Sequence, residues 1–184
     1  MDLSDLIARH AAFTPDKPAT VFEGEALNYR AFHEHIETTA KALKSKFGVS
    51  RGDRVAVLSL NRPDYLVLLY ACARLGAMLV PLNWRLAVAE QMFILSDAAA
   101  KVLVLEQAFA EILPALETTL PDTRVIGLDF TPPPPGYAFD ALFSMAAGDS
   151  RNPHVDLSCP LLIVYTSGTT GRPKGAVQIG RAHV

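Results

Sequence analysis

Four short apolar segments begin at nearly regular intervals in the middle of the chain. Residues 54–59, 78–82, 101–105 and 124–128 are rich in Val, Leu and Ile, and their starts lie 24, 23 and 23 residues apart. Intervals of this length are too long for hairpins but fit strand–helix–strand units, whose strands run parallel. The segments share no sequence pattern, which argues against a solenoid. The spacing therefore predicts an α/β fold, with a largely parallel sheet and flanking helices.

Helices are predicted in the intervals between these strands. Residues 64–75 are apolar nearly all round, with Pro63 in the first turn and Gly76 at the end. A second helix is expected over residues 87–96. A third should follow residue 105 and end or kink at Pro114, because proline lacks the N–H that a helix interior needs.

The N-terminal part of the chain predicts a hairpin followed by an amphipathic helix. Residues 19–29 form two short strand-like runs around a Glu-Gly-Glu turn. Asn28 is placed to cap the helix, and Gly48 is placed to end it. One apolar stripe runs along this helix through Phe32, Ile36, Ala40, Leu43 and Phe47.

Composition and charge exclude several classes of protein. Half of the 184 residues are hydrophobic, 20% are charged, and the formal net charge is −2. This balance predicts no nucleic-acid-binding face. We also expect no membrane span, since the longest apolar run is far below the roughly 20 residues required. Cys72 and Cys159 lack disulfide or metal-site spacing and the start lacks a signal peptide, so a cytoplasmic protein with buried thiols is expected.

The most informative stretch follows a predicted buried strand over residues 161–165. Two surface loops are predicted before it, at 131–136 and 147–159, and the strand then enters the sequence YTSGTTGRPKGAV, residues 165–177. We expect its glycines, including Gly175, to adopt positive φ and approach a ligand closely. Backbone N–H groups, hydroxyls and a lysine can together bind a polyphosphate. The residues predicted to do so are Thr166, Ser167, Gly168, Thr169, Thr170, Gly171 and Lys174.

Other phosphate-binding patterns do not fit this stretch. A Walker A loop requires a serine or threonine after the lysine, whereas Gly175 follows Lys174. The dinucleotide pattern G-x-G-x-x-G is also absent from the stretch. A flexible linker explains neither the preceding buried strand nor the Arg-Pro-Lys-Gly ending.

The stretch resembles the signature loop of the adenylate-forming superfamily, which includes acyl- and aryl-CoA synthetases, peptide-synthetase adenylation domains and firefly-type luciferases. The strand GDRVAV at 52–57 and the block GAMLVPLNWRL at 76–86 are also similar to that family, and the latter looks more like CoA ligases. The resemblance covers roughly residues 3–178.

The resemblance implies a two-step acid–thiol ligase. A carboxylic acid would attack the α-phosphate of ATP, supplied with Mg²⁺, to give an acyl-adenylate and pyrophosphate. The thiol of CoA would then accept the acyl group. The loop from Thr166 to Lys174 would hold the β- and γ-phosphates by positioning and charge neutralisation. A peptide-synthetase adenylation domain, a luciferase-like enzyme and a non-catalytic nucleotide-binding protein remain alternatives.

The same resemblance implies that the chain is the N-terminal part of a longer enzyme. The family's adenine-pocket, magnesium-binding and C-terminal catalytic residues would lie downstream, so we expect no catalytic residue here and no activity from this part alone. Residues 1–178 are interpreted as a partial AMP-binding domain. Residues 179–184 spell IGRAHV, the translation of a common sequencing-adapter oligonucleotide, and are interpreted as a non-native tail.

Overall fold

The computed structural model describes residues 1–166 and 172–179. Its N-terminal elements cover one side of the main sheet. They are helix α1 (Ser4–Phe13), the antiparallel strands β1 (Pro18–Phe22) and β2 (Glu25–Asn28), and helix α2 (Tyr29–Phe47). The Asn28 side chain accepts a hydrogen bond from the Ala31 N–H at 2.9 Å, and Gly48 ends α2 with φ of +62°. The predicted hairpin, cap and helix end are confirmed.

The centre of the main sheet is built from the four regularly spaced strands. These are β3 (Arg54–Leu58), β4 (Met78–Pro81), β5 (Val102–Leu105) and β6 (Arg124–Gly127), all paired in parallel. The crossovers contain helix α3 (Pro63–Leu75), helix α4 (Val88–Asp97), and a 3₁₀ helix (Gln107–Ile112) leading into helix α5 (Leu113–Thr119). The predicted α/β fold with a largely parallel sheet is therefore confirmed.

Three further strands widen the sheet to seven. Strand β7 (Tyr137–Ala138) is followed by the short helix α6 (Leu142–Met145), strand β8 (Pro160–Thr166) and strand β9 (Lys174–Ile179). The order across the sheet is β7-β6-β5-β3-β4-β8-β9. Only the β8–β9 pair among these is antiparallel. Ile179, the first residue of the expected non-native tail, is the last residue of β9.

Alternate strand residues separate the core into two apolar layers. Val55, Val57, Val102 and Val104 are fully buried against the side formed by α1, α2 and α3. Ala56, Leu58, Leu103 and Leu105 are fully buried on the other side, against α4 and α5. Because successive strand residues point to opposite faces, the continuous apolar sequence of each strand fills both layers.

Two loop predictions need correction. Pro114 neither ends nor kinks a helix; it lies in the first turn of α5, where its missing N–H has no intrahelical partner to lose. The segment 147–159 is not simply a surface loop, because Ser150, Val155 and Cys159 are buried. The Ser150 hydroxyl accepts hydrogen bonds from the buried Arg74 guanidinium at 2.9 and 3.1 Å. This segment therefore closes one end of the core.

Helix α3 ends where the chain makes a tight turn into β4. Gly76 adopts φ of +72°, as expected for a glycine that stops a helix. A Cβ atom at Gly76 would lie 2.6 Å from Cγ2 of Val155. The position therefore requires glycine for two separate reasons, its backbone conformation and its contact with the 147–159 segment.

Two sequence predictions concern the state of the two cysteines and the lengths of the helices. Cys72 and Cys159 are buried free thiols, as predicted. Across residues 1–166 and 172–179, no helix combines the length and apolar character that crossing a membrane requires.

Candidate functional site

The predicted phosphate-binding segment leaves and re-enters the sheet through one antiparallel strand pair. Thr166, the last residue of β8, lies opposite Lys174, the first residue of β9. Both residues are exposed. Ser167, Gly168, Thr169, Thr170 and Gly171 lie outside the described residues. The structure thus brings the two ends of the predicted segment together at the end of the β8–β9 strand pair.

Gly175 has a different role from the predicted one. It lies inside β9 opposite Tyr165, and its φ is not in the positive region. A Cβ atom there would lie 2.9 Å from both Cζ of Tyr165 and Cγ2 of Ile163. The expectation of positive φ at Gly175 is therefore wrong. Glycine is required because the Tyr165 ring lies against the β9 backbone.

Tyr165 also connects this strand pair to a helix. Its hydroxyl donates a hydrogen bond to Oδ2 of Asp97, the last residue of α4, at 2.6 Å. Partial burial, followed by the hydrogen bond to the Asp97 carboxylate, raises the pKa of Tyr165 above its usual value. The phenol therefore stays protonated and able to donate at neutral pH.

A cleft lies at the carboxyl ends of the central strands. Strands β3 and β5 are neighbours in the sheet. The chain runs from β3 to β4 in one direction across the sheet and from β5 to β6 in the opposite direction, so the two connections diverge between β3 and β5. Parallel α/β sheets commonly bind ligands at such a point. Here a cavity of about 700 Å³ is lined by Leu60 and Asn61 after β3, Trp84 and Arg85 after β4, and Glu106 after β5.

The two arginines that line this cleft have different partners. Arg62 forms ion pairs with Asp64 at 3.1 Å, Asp129 at 3.7 Å and Glu106 at 3.8 Å. The Arg85 guanidinium instead lies over the Trp84 ring, 4.4 Å from its centroid. Such an arrangement can bind an anionic ligand that carries a planar ring, because the guanidinium can pair with the charge while the indole offers a face for stacking.

Neither the Tyr165–Asp97 contact nor the cleft was predicted from the sequence. Tyr165 was predicted only as the last residue of a buried strand and the first residue of the glycine-rich stretch. The residues that line the cleft directly follow predicted strands, so the rule that ligands meet parallel strands at their carboxyl ends was the available signal. In the part of the chain that the structure describes, no group of three or more His, Cys, Asp or Glu side chains could hold a metal ion.

The curated proteins that the chain resembles include several ligases. The chain is 42% identical over 179 residues to the indoleacetate–CoA ligase of Aromatoleum aromaticum, a match that covers 96% of this chain and 34% of that protein. It is 36% identical over 174 residues to the fatty acid–[acyl-carrier-protein] ligase ScoC of Streptomyces coeruleorubidus, covering 94% of this chain and 32% of that protein. The chain thus spans about a third of the length of these curated relatives.

Solved structures agree with these sequence matches. The inhibitor-bound crystal structure of the N-terminal domain of FACL13 from Mycobacterium tuberculosis has a TM-score of 0.81 and 29% identity, over 97% of this chain and 44% of that chain. The sequence profile described as "AMP-binding enzyme" matches residues 7–182, nearly the whole chain. The strand pair that frames the glycine-rich segment lies inside that match. The chain therefore belongs to the AMP-binding enzyme family.

Proposed function

We propose that the protein is an acid–thiol ligase that activates a carboxylic acid with ATP and transfers the acyl group to CoA. The observation that carries this proposal is the pairing of Thr166 with Lys174. The connection of residues 167–173, which is rich in glycine and hydroxyl groups in sequence, therefore starts and ends at paired residues, of which Lys174 is cationic and exposed. Such a connection can present several N–H and O–H donors to one polyphosphate.

The proposed chemistry has two steps. A carboxylate oxygen attacks the α-phosphorus of MgATP, a P–O bond to the β-phosphate breaks, and pyrophosphate leaves with the negative charge. The thiol sulfur of CoA then attacks the acyl carbon, the bond from that carbon to the phosphate oxygen breaks, AMP leaves with the electron pair, and the thiol proton is released to water. Mg²⁺ enters with ATP as part of the substrate complex and neutralises phosphate charge.

The chain's own contribution to the first step is electrostatic. We propose that Lys174 and the hydroxyls of Thr166, Ser167, Thr169 and Thr170 bind the β- and γ-phosphates. Gly168 and Gly171 would let the backbone approach them. Groups fixed before reaction stabilise the charge that develops on the leaving pyrophosphate without having to reorganise.

The proposal extends to the organisation of the protein. We propose that residues 1–178 are part of a larger AMP-binding domain and do not complete the reaction alone. The coverage of relatives supports this, since matches of about a third recur among the curated ligases. We also propose a cytoplasmic location, which agrees with the two buried free thiols.

The test is ATP–pyrophosphate exchange by the protein made from the complete gene, over a panel of aliphatic and aromatic carboxylic acids. Lys174→Ala should lower exchange on the order of a hundredfold, because it removes a phosphate-binding charge. Thr170→Val should lower exchange about tenfold through loss of one hydroxyl donor. Carboxylate binding should change little in either variant. Lys17→Ala, at an exposed lysine just before strand β1, is the matched control.

Two outcomes would contradict the proposal. Undiminished exchange in both loop variants would refute the roles assigned to Lys174 and Thr170. ATP binding without exchange in the unsubstituted protein, for every acid tested, would favour a non-catalytic nucleotide-binding protein instead.

A carrier protein is a second candidate for the acyl acceptor. This alternative rests on the relative from Streptomyces coeruleorubidus, whose name specifies an acyl-carrier protein. Parallel thioester assays with CoA and with a phosphopantetheinylated carrier protein would distinguish the two acceptors. Both share the first step, so exchange activity is expected in either case.

A further inference from the structure

Strand β8 lies between the parallel strand β4 and the antiparallel strand β9. In the described residues, the parallel register between β4 and β8 consists of one pair, Leu79 opposite Leu162. The antiparallel pairing with β9 continues to Thr166 opposite Lys174. The last residues of β8 and the first residues of β9 are therefore paired with each other past the Leu79–Leu162 register position.

Tyr165 provides a second attachment at the end of β8. Its ring lies against Gly175 of β9, where an added Cβ would come within 2.9 Å of Cζ. Its hydroxyl donates to the Asp97 carboxylate at the end of α4. One side chain thus connects β8, β9 and a helix that packs on the central strands.

The position of this attachment relates it to the phosphate-binding segment. Tyr165 and Gly175 form the strand pair directly adjacent to Thr166 and Lys174. A rotation of the β8–β9 strand pair about its junction with β4 would move both ends of the segment together. A hydrogen bond from the strand pair to α4 opposes that rotation, because α4 is held by the buried Ile94 and Leu95.

We propose that Tyr165 and Asp97 are positioning residues that fix the Thr166–Lys174 end of the strand pair relative to the sheet, and so place the phosphate-binding segment for MgATP. The inference rests on the proposed function, because it assumes that the segment binds the phosphates of ATP. Neither side chain touches the reacting atoms; both act through the strand pair.

The experiment measures steady-state ATP–pyrophosphate exchange by the protein made from the complete gene. The variants are Tyr165→Phe, which keeps the ring and removes the hydroxyl, Asp97→Ala, Asp97→Asn and the double variant Tyr165→Phe/Asp97→Ala. Tyr137→Phe, on β7 at the opposite edge of the sheet, is the matched control. Thermal unfolding of each variant is recorded alongside.

Loss of the hydroxyl or of its acceptor should raise the KM for MgATP about fivefold, as expected for one hydrogen bond to a charged group that is partly exposed to water. The KM for the carboxylic acid should remain within about twofold. The KM for MgATP of the double variant should be no higher than that of the more impaired single variant, since both substitutions remove the same interaction. Asp97→Asn keeps an acceptor oxygen and should restore most of the activity.

The results separate this inference from the proposed function. Exchange activity in the unsubstituted protein, with an unchanged KM for MgATP in Tyr165→Phe and Asp97→Ala, would overturn the positioning role alone. Equal increases in both KM values would also overturn it, because they indicate general destabilisation. Additive losses in the double variant would overturn it too, because they show that the two side chains act independently. Absence of exchange in the unsubstituted protein would overturn the proposed function and this inference with it.

Discussion

Gly76→Ala should strongly weaken the junction between α3 and β4. Two effects act at this residue. Its φ of +72° lies in the left-handed region, where an L-residue with a Cβ is strained. The added methyl would also lie 2.6 Å from Cγ2 of Val155, and Arg51 Cγ lies 3.1 Å away on the same side.

The two effects can be given magnitudes. Left-handed strain costs about 1 kcal/mol, and forcing a methyl into a closely packed site costs about 2 kcal/mol more. The sum of about 3 kcal/mol corresponds to local opening on the order of a hundredfold more frequent. Gly52→Ala isolates the first effect, because Gly52 has φ of +85° and no atom within 4 Å of an added Cβ. It should increase opening only about fivefold.

Native-state amide hydrogen exchange followed by mass spectrometry measures this opening directly. Peptides that cover α3 and β4 report the local free energy without assuming two-state unfolding of the whole protein. Adding Val155→Ala to Gly76→Ala removes the collision and should give less protection loss than the sum of the two single variants. If Gly76→Ala accelerates exchange no more than Gly52→Ala, the collision with Val155 is not a determinant of this turn.

Three further results are expected. Complete burial raises the pKa of the Cys72 thiol to about 12, so it should resist a thiol reagent at pH 8 until the protein unfolds. Arg74→Met should destabilise the protein by about 3 kcal/mol in urea unfolding, because it leaves buried polar partners without their donor. Partial burial raises the pKa of Asp53, but hydrogen bonds from the Ser50 N–H and from Lys101 lower it overall. Ionised Asp53 therefore stabilises the folded protein above about pH 4, and this contribution is lost as pH falls through the lower pKa of the folded state. Asp53→Asn removes the titrating group and should make the free energy of unfolding depend less on pH in the acid range.

The parts of the fold that the sequence predicts well are those with strong local signals. Three predictions depend only on residues close in sequence, and all three are confirmed. They are the apolar strands of the central sheet, the Asn28 cap, and the glycines that end α2 and α3. Pro114 was misinterpreted because a proline that ends one helix and a proline that begins another look alike without the preceding 3₁₀ turn. Strand β7 has two residues and depends entirely on pairing with β6.

The candidate site is less accessible from sequence for the same physical reason. The glycine-rich stretch itself predicts phosphate binding through its composition. The strand β9 that frames it starts with Lys-Gly, residues that do not favour strands, and forms because β8 supplies a partner. The hydrogen bond between Tyr165 and Asp97 joins residues 68 positions apart, and no local pattern encodes that distance.

Trp84 is the single tryptophan among these 184 residues. Its side chain is 42% exposed, lines the cleft and lies beneath the Arg85 guanidinium. A molecule that binds against Trp84 would displace water or the guanidinium from the indole, and either change would alter the wavelength and yield of the indole's emission. The chain therefore carries an intrinsic fluorescent reporter at the carboxyl edge of its sheet, through which occupancy of the cleft can be titrated without any label.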